Sequence, residues 1–386
     1  MRPAASASAT LRQSLIGCSC CSIFCCASSR EISPAVKGSM SISVGLKANA
    51  AYYGGICPLS HMRQKSIIHI KRVTVMAKAV IAIHGGAGAI TRAAMSAEKE
   101  QHYRQQLAAI VSAGQQILAS GGSALDAVTE AVRLLEECPL FNAGRGAVFT
   151  HQGTHELDAS LMDGRTLDIG AVAGVSRIRN PILAARKVLE ASPHVLLIGS
   201  GAEAFAAQQG LTPVEPDFFS TPERWEQLQR ALGSEQMLLD HDGAAQESDP
   251  LDPDRKFGTV GAVALDLQGN LAAATSTGGM TNKQAGRVGD SPLAGAGCYA
   301  NNATVAVSCT GTGEVFIRTL AAYDVSAQME YGGRSLQQAT ASVIHDKVQE
   351  LEGSGGLIAV DAHGNVALPF NSERHVPRIR LCGRRG

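Results

Sequence analysis

Two distant segments of this chain carry the same turn. TVGAVALDLQGNLAAATSTGG over 259–279 and GLIAVDAHGNVALPFN over 356–371 share the pattern A-x-D-x-x-G-N-x-A. Each reads as two apolar strands joined by a tight turn, where glycine supplies the positive φ that other residues resist. A chain built on such hairpins must pack sheet on sheet or sheet on helix. Its composition says how closely: 41 glycines and only 4% aromatic residues require small side chains and near backbone contacts.

The rest of the pattern fills in the layers. An apolar run from Lys78 to Ile83 reads as a buried strand ending in the glycine turn HGGAG. Helical periodicity covers roughly 97–119 and 123–137, the second opened by Ser123 and Asp126 at capping-box spacing. Strands are expected around 147–150, 155–162 and 169–175, then a helix over NPILAARKVLEAS with Pro181 in its first turn, then a buried strand at HVLLIG. Residues 211–257 collect five prolines and many charges and read as a linker, with helical character over 222–232. Helices are expected over 313–330, with Phe316, Leu320, Tyr323 and Ala327 as an apolar stripe, and over 335–351. These strands exceed what one covered sheet needs, so the expected fold class is α/β, a four-layer αββα sandwich.

Residues 1–75 stand apart. They hold nine Lys/Arg and one acid, Glu31, and six of the ten cysteines, without lasting periodicity. The segment has three readings: a transit-type peptide, a Cys-rich metal or lipid site, or upstream sequence translated from too early a start, with the true start at Met76. The third fits best, because the orderly pattern begins at MAKAVIAIHGGAG. Beyond it, Cys138, Cys298, Cys309 and Cys382 are scattered and imply no disulfide framework, and hence a reduced, cytoplasmic setting. No run of 18 apolar residues points to a membrane span, and no basic patch points to nucleic acid.

The chemistry centres on DPDRKFGTVGAVALD, where a charged leader stops at Gly258 and Thr259 opens a core strand. An internal threonine hydroxyl lacks a base. Were the Gly258–Thr259 bond cut, Thr259 would gain a free α-amine of pKa about 7.7–8.0 beside its own hydroxyl. A strand that merely begins with threonine is the plain alternative. Within 60 residues follow TSTGGMTNK with Thr277, RVGDSP with Arg287 and Asp290, and CTGTGE with Thr310 and glycine amides ahead of a helix.

Together with IHGGAG, LFNAGRGAVFT, ELDASLMDGRT and IGAVAGVSRIRNP, in this order, these motifs resemble the plant-type L-asparaginase and isoaspartyl aminopeptidase family of N-terminal nucleophile hydrolases, over residues 76 to about 373. The resemblance implies that Thr259 is the nucleophile freed by self-cleavage after Gly258. Thr277 would orient it, and Thr310 and Gly311 would form the oxyanion hole. Arg287 would grip the substrate α-carboxylate and Asp290 its α-ammonium, with Thr312 and Gly313 adding contacts. It further implies a structural sodium ion on the carbonyls of Leu135, Glu136, Cys138, Phe141, Ala143 and Arg145, and no cofactor for catalysis. Asn142 is a candidate active-site neighbour, whereas His84 reads as a packed strand end.

The expected product is a 76–258 and 259–386 pair that stays folded together and dimerises. Its substrates would be L-asparagine and β-aspartyl dipeptides. A glycosylasparaginase-like amidase and an uncleaved binding protein are the alternatives. The tail NSERHVPRIRLCGRRG leaves the family pattern after Glu373, where Gly-Met-Tyr-Arg would follow. Codons for the residues present, read one nucleotide later, restore Gly-Met-Tyr-Arg-Ala-Tyr-Gly-Tyr. The expectation is a one-nucleotide frameshift that strips the strand ending near Asn371 of its continuation and leaves an exposed tail over 374–386.

Overall fold

The computed structural model describes residues 78–86, 97–240, 258–371 and 377–381; the expectations for the leader and for 241–257 lie outside the described residues. The strands are β1 (Val80–His84), β2 (Leu157–Asp163), β3 (Ile169–Val175), β4 (Leu196–Ile198), β5 (Val260–Leu265), β6 (Leu271–Thr277), β7 (Cys298–Ala300), β8 (Val305–Gly311), β9 (Gly355–Asp361), β10 (Val366–Ala367) and β11 (Pro377–Leu381). The helices are α1 (Ala97–Ala119), α2 (Ala124–Glu137), α3 (Pro181–Ala191), α4 (Gly199–Gln208), α5 (Pro222–Asp240), α6 (Gly313–Thr319), α7 (Ala321–Glu330) and α8 (Leu336–Ala341), the last continued by a π-helical stretch over Ser342–Val348. Seven strands form one sheet in the order β11-β1-β5-β6-β2-β3-β4, and four form a second in the order β10-β9-β8-β7.

The two look-alike segments are indeed two hairpins with one turn chemistry. In the β5–β6 turn, Asp266 Oδ1 accepts the N–H groups of Gln268 (3.0 Å) and Asn270 (2.8 Å), and Gly269 sits at φ 82°. In the β9–β10 turn, Asp361 Oδ1 accepts from His363 (2.8 Å) and Asn365 (2.9 Å), with Gly364 at φ 80°. The aspartate thus satisfies turn amides that no strand partner reaches. Asp266 does more: its Oδ2 accepts the N–H of Ala124 (3.1 Å), tying the first turn of α2 to the central hairpin.

Three apolar clusters follow from strand alternation. Ala262 and Ala264 on β5 and Ala272 and Ala274 on β6 pack with Leu118, Val128 and Val188 of α1, α2 and α3. Their neighbours Val263, Leu265, Leu271 and Ala273 meet Cys298, Ala306, Ile358 and Val360 of the smaller sheet. The other face of that sheet, through Val307, Leu357 and Ala359, packs on Phe316, Val325 and Ile344. Small residues set the spacing, as expected: a Cβ on Gly170 of β3 would overlap the carbonyl oxygen of Ala185 on α3.

Several expectations change. Residues 147–150 form only a bridge, Thr150 to Lys283. HVLLIG makes a three-residue edge strand that pairs only with β3, so Leu196 and Ile198 are exposed rather than buried. The expected linker is ordered as far as Asp240, because Phe219 and Leu228 bury fully and anchor it. The 313–330 helix breaks at Leu320, which adopts φ 47° and half-exposes its side chain, while Ala321, Ala322 and Val325 take over the buried face. The tail is not wholly free: β11 lies antiparallel on β1, with Val80 opposite Leu381 and His84 opposite Pro377. Among the described residues Cys138, Cys298 and Cys309 are free thiols, and no helix is long and apolar enough to cross a membrane.

Asp266→Ala should strip three backbone donors at the join of α2 and the β5–β6 hairpin. The expected loss is about 2–4 kcal/mol of folding free energy. It would be read as a lower urea midpoint at unchanged m-value.

Candidate active site

The antiparallel register that sets Val260 opposite Ser276 carries one step further, to Thr259 and Thr277. Their hydroxyls meet at 3.2 Å, with Thr259 donating. Thr277 Oγ1 also accepts the N–H of Gly279 (2.9 Å), so the TSTGG motif wraps a turn around its own hydroxyl. A third hydroxyl, Ser291 Oγ, lies 3.4 Å from Thr259 Oγ1. Thr259 is almost wholly buried, at the base of a narrow cleft lined by Thr277, Gly279, Met280, Arg287, Asp290 and Gly311.

The bond before Thr259 is tightly held. A Cβ on Gly258 would come within 2.6 Å of Asn142 Cβ, and a Cβ on Gly86 within 2.8 Å of Gly258 Cα. The second glycine of HGGAG, at φ 109°, is therefore needed where the backbone passes the junction. Asn142 donates from Nδ2 to Gly279 O (2.7 Å) and accepts Val148 N–H on Oδ1 (2.9 Å), placing it between the junction and the TSTGG turn. His84 packs deep between strands, with Nε2 2.9 Å from Ser308 Oγ, as a strand-end residue rather than a cleft residue.

Arg287 and Asp290 both reach the cleft, but not as a pair. Arg287 makes a two-pronged ion pair with Glu314 in the first turn of α6 (2.9 and 3.0 Å). The Arg287 fork holds the Glu314 carboxyl below its usual pKa. Asp290 is buried, its Oδ2 has no hydrogen-bond partner among the described residues, and burial pushes its pKa up to about 7. Gly313 is the floor between them: a Cβ there would lie 2.8 Å from Arg287 Nη2 and 3.0 Å from Asp290 Oδ1. An unpaired buried carboxylate beside an anchored guanidinium suits a ligand carrying both an ammonium and a carboxylate.

Gly311 ends β8 at φ 154°, where any Cβ would strike Ser354 O and Phe316, and its backbone faces the cleft. Thr310, fully buried, precedes it on the strand. Thr312, expected among the substrate contacts, is instead committed to Ser354: its hydroxyl donates to Ser354 O (3.3 Å) and accepts Ser354 N–H (3.1 Å). Sequence reasoning missed Ser291, Glu314 and Met280. Ser291 and Glu314 lay inside the quoted motifs RVGDSP and CTGTGE, but only the folded loop shows which letters face inward.

The loop 135–145 closes on itself. Arg145 N–H donates to Glu136 O (2.7 Å), Cys138 N–H to Leu135 O (3.3 Å) and Phe141 N–H to Cys138 O (3.2 Å). Gly144 and Gly146 are required, since a Cβ on the first would lie 2.5 Å from Glu136 O and on the second 2.8 Å from Phe141 O. The Glu136 side chain is fully buried, accepting Ile182 N–H (2.9 Å) and Ser276 Oγ (2.7 Å), and burial raises its pKa to about 8. No cluster of metal-binding side chains occurs among the described residues. Neutral carbonyl oxygens keep a second lone pair after accepting one hydrogen bond, and are the donor type that a hard cation takes.

The chain is 69% identical over 298 residues to the isoaspartyl peptidase of Salmonella typhimurium, covering 77% of this chain and 94% of that protein. It is 67% identical to the isoaspartyl peptidase of Escherichia coli, covering 77% and 91%. To the isoaspartyl peptidase/L-asparaginase of Mus musculus it is 41% identical, covering 78% and 87%. The asparaginase family profile matches residues 77–380, a span that takes in nearly all of β11. The chain belongs to the asparaginase family.

Proposed function

We propose that this protein is a self-cleaving threonine hydrolase of β-aspartyl peptides and L-asparagine. One observation carries the reading: the Thr259 hydroxyl lies on Thr277 at the base of a cleft that holds Arg287 and the unpaired Asp290. In maturation, Thr259 Oγ1 attacks the Gly258 carbonyl carbon and the C–N bond breaks. Water then hydrolyses the resulting ester, leaving a Gly258 carboxylate and a free Thr259 α-amine.

In turnover that amine takes the proton as the same hydroxyl attacks the substrate's side-chain carbonyl, and returns it to the leaving ammonia or amino acid. Water releases aspartate. Gly311 N–H and Thr310 serve the oxyanion, and Asn142 and Thr277 fix the nucleophile's surroundings. Arg287, braced by Glu314, presents its remaining N–H groups to the substrate α-carboxylate, while Asp290 accepts the α-ammonium over Gly313. The three apolar clusters support an αββα four-layer sandwich. The carbonyls of Leu135, Glu136, Cys138, Phe141, Ala143 and Arg145 would hold a sodium ion that braces the loop carrying Asn142. The cleaved 76–258 and 259–386 pieces would pair as a dimer of such units.

Thr259→Ala should abolish both self-cleavage and hydrolysis, and Thr259→Ser should keep part of each. A gel of the purified chains reads the first and ammonia release from asparagine the second. An alanine variant that still splits after Gly258 removes the proposed nucleophile.

Arg287→Ala should still cleave itself, because the Gly258 bond presents no free α-carboxylate, yet lose about 2–4 kcal/mol in kcat/KM. Equal loss of cleavage and turnover would mark a folding defect instead.

Asp290 must be ionised to hold an ammonium, and its raised pKa leaves it half protonated near pH 7. The grip should therefore weaken as pH falls through about 7. KM for asparagine should rise on that limb in wild type, and the Asp290→Asn variant should show a high KM without it.

A further inference from the structure

One buried charge beside the nucleophile has no part in this scheme. Lys283 is 5% exposed, and its ammonium donates to the backbone oxygen of Glu156 (2.7 Å). No carboxylate pairs with it among the described residues. Its side chain packs against the turn that carries Thr277: a Cβ on Gly279 would lie 2.8 Å from Lys283 Cδ and 2.9 Å from Nζ. Gly279 N–H in turn holds the hydroxyl that Thr259 touches.

On the other side, Asp158 of β2 stands directly opposite Thr277. Strand alternation puts Thr259, Thr277 and Asp158 in one row across β5, β6 and β2. Asp158 is wholly buried; its Oδ1 accepts Gly174 N–H (2.9 Å), and its Oδ2 has no partner among the described residues. Burial raises the Asp158 pKa, and Lys283 is the charge that most opposes this. Burial likewise lowers the Lys283 pKa, and Asp158 is the charge that most opposes that. Other ionisable groups on elements around Thr259 include Glu156 before β2, Arg287 and Asp290 in the loop after β6, Glu314 on α6, Cys309 on β8, His84 on β1 and Glu136 on α2.

We infer that Lys283 and Asp158, two buried groups of opposite charge that do not touch, together set the proton affinity of the α-amine freed at Thr259, Lys283 lowering it and Asp158 raising it. Both are positioning residues, acting through the amine rather than on the substrate. The inference rests on the proposed self-cleavage. An amine of ordinary pKa is mostly protonated at pH 7, so only a minor fraction of it can act as a base. A cation buried behind the turn disfavours the ammonium. A unit charge about 10 Å away at an effective dielectric of about 20 moves a pKa by about one unit.

The test is a titration of the cleaved protein labelled with ¹⁵N-threonine, following the Thr259 amine shift, alongside the pH profile of kcat. The kcat profile reports groups in the substrate complex, where the bound ammonium keeps Asp290 ionised. Lys283→Met should raise the amine pKa, and the acid limb of kcat with it, by about one pH unit. Asp158→Asn should lower both, and Lys283→Arg should behave as wild type. Shifts in one direction for both variants, or uniform loss of rate with an unmoved titration, overturn the inference.

If one variant fails to cleave, the other carries the test, since each has its own sign. Failure of both to cleave while folded reduces the pair to a structural role and overturns it too. A wild-type chain that does not cleave, or cleaves without releasing aspartate, sinks the proposed function instead.

Discussion

The register between β5 and β6 is the constraint on which the site depends. It places Thr259 beside Thr277 and at the same time delivers alternate side chains to two different cores. A slip of one residue would turn Thr259 toward the helices and the apolar residues of both faces the wrong way. The Asp266 turn fixes that register at the far end of the hairpin, and its contact with Ala124 locks the hairpin to α2. Chemistry at one end of the strands is thus protected by hydrogen bonds at the other.

Charge around the site is distributed so that little is left to be organised by a ligand. Arg287 already has its partner in Glu314, so its orientation does not await substrate. Asp290 is the opposite case: it is buried, its Oδ2 has no hydrogen-bond partner among the described residues, and burial pushes its pKa up to about 7. The glycines at 279, 311 and 313 matter here because each marks a place where a side chain would occupy the cleft, the adjoining backbone or the clamp itself.

Much of this was legible in the sequence because it rests on local patterns. The two D-x-x-G-N turns, the Ser123 cap of α2 and the Gly-Thr junction each depend on residues close in the chain. What was not legible depends on placement in the finished fold. HVLLIG has the composition of a buried strand, but its exposure follows from lying at a sheet edge. The proline-rich stretch before Asp240 looked like a linker because its anchors, Phe219 and Leu228, are few and widely spaced. Arg287 and Asp290 read as clamp residues, yet the partner of Arg287 lies 27 positions away on a helix. Lys283 and Asp158 were not singled out at all, since burial of a charge leaves no mark in the sequence.

The strand order also bears on how the protein is made. β1 is built from residues 80–84, but its neighbours in the sheet are β5, at 260–265, and β11, at 377–381. All five residues of β1 are buried in the finished fold. As the chain leaves the ribosome, β1 must therefore wait for some 180 further residues before its first partner exists, and for nearly 300 before its second. Such long-range pairing folds slowly and leaves apolar strands exposed in the interim. Thr259 directly precedes β5 and reaches the Thr277 hydroxyl only once the hairpin has formed, so cleavage at Gly258, as proposed, would report completed assembly of the central strands.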